Sequence, residues 1–202
     1  MLEKKCFYLL IITVLFVFGS VVKADTYSKF ETTNYYSKNR EFFVIVTPDK
    51  KAVLYKGNKK IWTQTLPELP QSLLVTNDGK RVVMIENYYG NSREPKKEVI
   101  IFFGENGNKL SSYNLENLAD LENILHTISS SHWLDKYEMN QEKNEVVIET
   151  FVLTCPLIGN VSNEEDLKKV DECRKPKPKE RIVFSVVNGS LLSRTKIETT
   201  EK

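Results

Sequence analysis

The chain has 202 residues, 29 basic and 27 acidic side chains, and 41% hydrophobic residues. That is enough for one domain with a proper core. A formal charge of only +2 lacks the basic excess by which nucleic-acid binders neutralise phosphate, so that class is excluded on global grounds.

The first element is an export signal. Lys4 and Lys5 precede an apolar run from Phe7 to Phe18 that only Thr13 relieves, and Val22-Lys23-Ala24 sets small side chains before Asp25. A basic start, a short apolar middle and a small-residue exit predict secretory processing between Ala24 and Asp25. The stretch from Phe7 to Val22 is shorter than the ~20 apolar residues of a spanning helix, so no membrane segment is expected after cleavage. Removing residues 1–24 takes away Lys4, Lys5 and Lys23 against Glu3, which makes the remaining basic and acidic side chains equal in number. A secreted or periplasmic domain over 25–202 follows.

Short β-branched and aromatic runs then alternate with turn residues. They lie at 42–46, 52–55, 60–64, 72–75, 81–86, 98–103, 109–113, 145–153, 181–187 and 190–193. Val99-Ile100-Ile101-Phe102-Phe103 and Ile182-Val183-Phe184 are apolar at successive positions, which predicts burial on both faces. Ser37-Lys38-Asn39-Arg40-Glu41-Phe42 aligns with Thr76-Asn77-Asp78-Gly79-Lys80-Arg81, each a hydroxyl residue and an Asx turn leading into a strand. Gly57-Asn58, Asn106-Gly107 and Asn188-Gly189 sit where a further hairpin must reverse.

The unit is strand, turn, strand, loop, strand, turn, strand, and it recurs at about 36–66, 72–115 and 130–194. It resembles one blade of a β-propeller, of the kind in which a Ser-x-Asp-Gly-type turn opens the inner hairpin. The chain also resembles a scattered class of exported bacterial proteins. The resemblance implies a mainly β fold of antiparallel meanders in three blade-like units, an open or incomplete propeller with one or two short helices. Propellers close with four to eight blades, so three units imply an open array or closure by association of chains.

Two segments depart from the β pattern. Leu115, Leu118, Leu121, Ile124, Leu125 and Ile128 predict a helix over 114–129 that covers a sheet face. Arg174-Lys175-Pro176-Lys177-Pro178-Lys179 reads as an extended, exposed connector. After processing, Cys155 and Cys173 are the remaining cysteines, and an oxidising compartment favours their pairing in a disulfide. Between them, Ser162 with Glu165 fits a capping box for a short helix.

No cofactor or metal signature is present. His126 and His132 are six apart and share no helix face. Ser129, Ser130, Ser131, His132 and Asp135 supply the letters of a hydrolase triad, but triads are assembled from separated positions, and no G-x-S-x-G elbow exists. Tyr88, Tyr89 and Arg93 lie on a long loop between two strong strands, where binding groups concentrate. With His132 and Trp133 they form the candidate binding set. Asn160-Val161-Ser162 and Asn188-Gly189-Ser190 match the glycosylation pattern. The expectation is an exported, non-enzymatic binding or scaffold protein for a protein or small-molecule ligand. The alternatives are a secreted hydrolase using His132 and a self-associating subunit of a larger extracytoplasmic assembly.

Overall fold

Each large sheet uses its strands in the order in which the chain supplies them. The computed structural model describes residues 30–86, 96–119, 125–126, 131–152 and 177–197. The first blade is β1 (Thr33–Tyr36), β2 (Phe42–Val46), β3 (Lys51–Lys56) and β4 (Lys59–Thr65). The second is β5 (Ser72–Val75), β6 (Val82–Ile85), β7 (Glu98–Phe103) and β8 (Lys109–Asn114). A single-turn helix α1 (Leu115–Leu118) and a two-stranded ribbon, β9 (Leu125–His126) with β10 (Ser131–His132), lead to the third. That third blade is β11 (Leu134–Asn140), β12 (Glu145–Val152), β13 (Lys177–Ser185) and β14 (Leu191–Lys196). All three are four-stranded antiparallel meanders, as the blade resemblance implies.

Two apolar cores explain the stacking. Val44, Val46, Ala52 and Leu54 of blade 1 pack with Val82, Met84, Ile101 and Phe103 of blade 2. Val83, Ile85, Ile100 and Phe102 point the other way and pack with Val146, Ile148, Ile182 and Phe184 of blade 3. Because side chains alternate across a strand, β6 and positions 99–103 of β7 must be apolar throughout to serve both cores. The run 99–103 is accordingly buried on both faces. At 182–184 the outcome differs: Ile182 and Phe184 are buried, but Val183 is half-buried, because blade 3 has a core on one side only.

Of the helix expected over 114–129, Leu115–Leu118 is helical and Leu125–His126 is a strand, while 120–124 and 127–129 lie outside the described residues. Leu115 and Leu118 do cover the second core. Asn114 caps the turn as a reciprocal box with Asn117. Its last carbonyls accept from Arg194 of β14, Nη1 to Asn117 at 2.9 Å and Nη2 to Leu118 at 3.3 Å. In the basic Pro-rich run, Lys177-Pro178-Lys179 is extended as expected but belongs to β13 and not to a connector, while 174–176 lie outside the described residues. Pro178 is tolerated because β14 pairs only from Glu180 onward and a bulge at Thr150/Phe151 faces it. The signal segment, Cys155, Cys173 and the capping box at Ser162 lie outside the described residues. Among the described residues no helix is long and apolar enough to cross a membrane.

Candidate functional site

The inner strands β1, β5 and β11 each end in a turn, and the three turns meet on one side of the molecule. In blade 1 the Ser37 hydroxyl donates to Asn39 Oδ1 (2.7 Å) and accepts the Phe42 N–H (3.1 Å). Blade 2 repeats this: Thr76 donates to Asp78 Oδ1 (2.6 Å) and accepts the Arg81 N–H (3.0 Å). Such side-chain mimicry of a backbone turn is what Ser, Thr, Asn and Asp do well. In blade 3, Asn140 Oδ1 accepts the N–H groups of Glu142 and Lys143, both at 3.1 Å.

Amide groups fasten these turns to one another. The Asn39 N–H donates to Asn77 Oδ1 and Asn39 Nδ2 donates to the Asn77 carbonyl, both at 3.0 Å. The Asn77 N–H donates to Gln141 Oε1 at 3.0 Å, and Gln141 Nε2 reaches back to the Val75 carbonyl at 3.2 Å. One rail, Asn39–Asn77–Gln141, therefore crosses all three blades. A cleft of about 500 Å³ opens along it, lined by Lys38, Asn39, Asn77, Asn140, Gln141 and the carboxylates of Glu138 and Glu142 among others. It offers donors and acceptors of both signs, which suits a polar ligand more than an apolar one.

Electrostatics agree with tightly held turns. Burial pushes the Asp78 carboxyl up, but the Thr76 hydroxyl, the Lys80 N–H and the Lys80 charge outweigh it and leave it below its ordinary range. Asp78 is thus a turn residue. On the inner edge, burial raises the Tyr35 phenol, with Tyr137 and Glu86 adding to it. Its hydroxyl donates to the Pro70 carbonyl at 3.3 Å.

Of the residues singled out in sequence, Trp133 is fully buried, and its indole N–H donates to the Glu86 carbonyl at 3.0 Å. It is a core residue that ties blade 3 to blade 2 and presents no surface to a ligand. His132 lies on β10 opposite Leu125, and Ser131 faces His126. Tyr88, Tyr89 and Arg93 lie outside the described residues. Among the described residues no group of three His, Cys, Asp or Glu could hold a metal ion. Sequence reasoning missed Asn39 and Gln141 as partners of Asn77. The repeat alignment was the available signal, since it set the turns of blades 1 and 2 in register.

No family model matches the chain, and no curated protein matches it. Solved structures similar to the chain include remote ones. "The crystal structure of BamB from Moraxella catarrhalis" shares 13% identity with it at a TM-score of 0.39, over 84% of this chain and 54% of that one. "Crystal structure of the eukaryotic initiation factor" shares 13% at 0.37, over 89% and 47%. A β-propeller domain from Myceliophteria thermophila shares 8% at 0.35, over 84% and 74%. The chain spans about half the length of the first two. The blade assignment stands on strand order and packing.

Proposed function

We propose that the chain is an exported binding or scaffold protein whose working surface is the side of the blades that carries the Asn39–Asn77–Gln141 rail. The observation that supports this most is the rail itself. Three turns from separate blades are hydrogen-bonded edge to edge beside an open polar cleft. Loops fixed on a rigid sheet scaffold hold binding groups in place with little entropy left to lose. Lys38, Glu138 and Glu142 supply charge of both signs around the amides, so the ligand is expected to be polar and to present both donors and acceptors.

Site-specific photo-crosslinking in the producing cell tests the reading. A photoreactive residue at Lys38 or Glu142 should give a discrete adduct, and one at Leu192, exposed on β14, should not. Asn77→Ala should weaken the adduct while leaving the far-ultraviolet spectrum unchanged. Equal labelling at all three positions would overturn the assignment of this side.

A further inference from the structure

Gln141 holds its end of the rail through its oxygen and both amide hydrogens, and one of those hydrogens points at sulfur. Oε1 accepts the Asn77 N–H at 3.0 Å, while Nε2 donates to the Val75 carbonyl at 3.2 Å and to Met139 Sδ at 3.0 Å. The residue that precedes the turn is Tyr36 in blade 1, Val75 in blade 2 and Met139 in blade 3. Val75 is branched, chemically inert and buried. Met139 is half-buried, packs against the second core and lines the cleft beside the rail. Met84, the other methionine among the described residues, is only 1% exposed. A thioether on the wall of an open polar cleft is the one a peroxide reaches first, and oxidation turns it from an apolar group into a polar one.

We propose that Met139 is an oxidation site and that its sulfoxide releases the blade 3 end of the rail. The oxidant is a hydroperoxide. A sulfur lone pair attacks its terminal oxygen, and the O–O bond breaks as the sulfur–oxygen bond forms. The hydroxyl proton passes to the departing oxygen, which leaves as water or an alcohol. Sulfur gives up two electrons and the peroxide takes them.

At 3.0 Å there is no room for another oxygen between Sδ and Nε2. An oxygen on that side displaces the Gln141 amide. It also accepts more strongly than a sulfide, which is a weak acceptor, and so draws the amide hydrogens away from the Val75 carbonyl. An oxygen on the other side lies toward Val146, the partner of Met139 across β12, where it has no donor in the second core. Either way the amide loses the orientation that aims Oε1 at Asn77. The Asn39–Asn77 segment makes no bond with Met139 and stays closed. Control of binding by this step rests on the rail side being the working surface, whereas the oxidation and the release do not.

Titration of the full chain with hydrogen peroxide, followed by peptide mass and amide exchange, tests this. The peptide that holds Met139 should gain one oxygen before the one that holds Met84. Exchange of the Asn77 N–H should then rise about tenfold, as for one lost neutral hydrogen bond, with no change at the Asn39 N–H. A methionine sulfoxide reductase should reverse both changes. Met139→Leu, which conserves apolar volume, should keep slow Asn77 exchange under peroxide. Met139→Gln, with a polar oxygen in place of the sulfur, should show fast exchange without it. Oxidation of Met139 only in step with Met84 overturns the proposal. So does a sulfoxide that leaves Asn77 exchange unchanged, or a rise at Asn39 as large as that at Asn77. Where Lys38 or Glu142 gives a crosslinked adduct, peroxide should weaken it in the wild type and not in Met139→Leu; an adduct that peroxide leaves intact removes the control of binding. Mass and exchange read the site whether or not an adduct forms, so the two readings fail separately.

Discussion

Gly79 sits on the ring of Phe42: a Cβ built on the glycine would lie 2.1 Å from Cδ1, and the backbone there has a φ of +68°. The contact joins the first turn of blade 2 to the first core, so Gly79→Ala combines left-handed strain with a clash. A loss of about 3 kcal/mol is expected, within the range of strained core positions. Gly57→Ala shares the positive φ but meets no atom, and should cost only about 1–2 kcal/mol. Urea titration of both variants measures the difference.

Trp133 supplies the second test. Trp133→Phe keeps most of the apolar volume but leaves the buried Glu86 carbonyl without this donor, a loss of about 1–3 kcal/mol. Trp133→Ala should cost about 3–5 kcal/mol. In the other direction, the buried Ser111 hydroxyl has no hydrogen-bond partner among the described residues. Ser111→Ala is expected to be neutral or to stabilise by about 1 kcal/mol.

Acid should loosen the turns. Glu98 is held below its ordinary range by the Lys109 ammonium at 2.7 Å and the Ser112 hydroxyl. Asp49 is lowered by its hydrogen bond with Thr47, and Asp78 is lowered as described. A carboxyl depressed in the fold contributes stability that is present above its unfolded pKa and lost as pH falls through the folded one. Chemical-denaturation midpoints should therefore hold near neutrality and fall below about pH 4. Glu98→Gln and Asp78→Asn should flatten that fall.

Export and oxidation make a joint prediction. The N-terminus of the purified protein should be Asp25, and intact-mass analysis without reduction should show no alkylatable thiol at Cys155 or Cys173. Both follow from the leader pattern and the cysteine count. His132→Ala should leave any hydrolysis of generic esters by the purified protein unchanged, and a loss with that variant would favour the hydrolase reading.

The strands that serve two cores were the most legible part of the chain. Val99 to Phe103 is apolar at every position because both of its faces are covered, and periodicity reports that directly. The inner strands were harder. Thr33-Asn34-Tyr35-Tyr36 and much of β11 carry polar side chains, because an inner edge of an unclosed array faces water. Within 114–129 the leucine spacing reported the turn of helix at Leu115–Leu118 but not the strand at Leu125–His126, because a leucine at a helical spacing fits a short strand equally well. The rail was hidden for a different reason. Asn39 with Asn77 and Asn77 with Gln141 are 38 and 64 residues apart, and no local pattern reports a bond between two turns.

Arg194 gives the chain a sequence of events as well as a shape. Its guanidinium grips Glu180 at 2.6 Å and, from the final strand, holds the last carbonyls of a helix lying 76 and 77 residues earlier. During synthesis the first two blades emerge and can bury their shared core long before that latch exists. That fastener arrives only with β14, so a ribosome stalled before it would display a chain whose first two blades can be set while the α1 turn still lacks the Arg194 donors for its carbonyls.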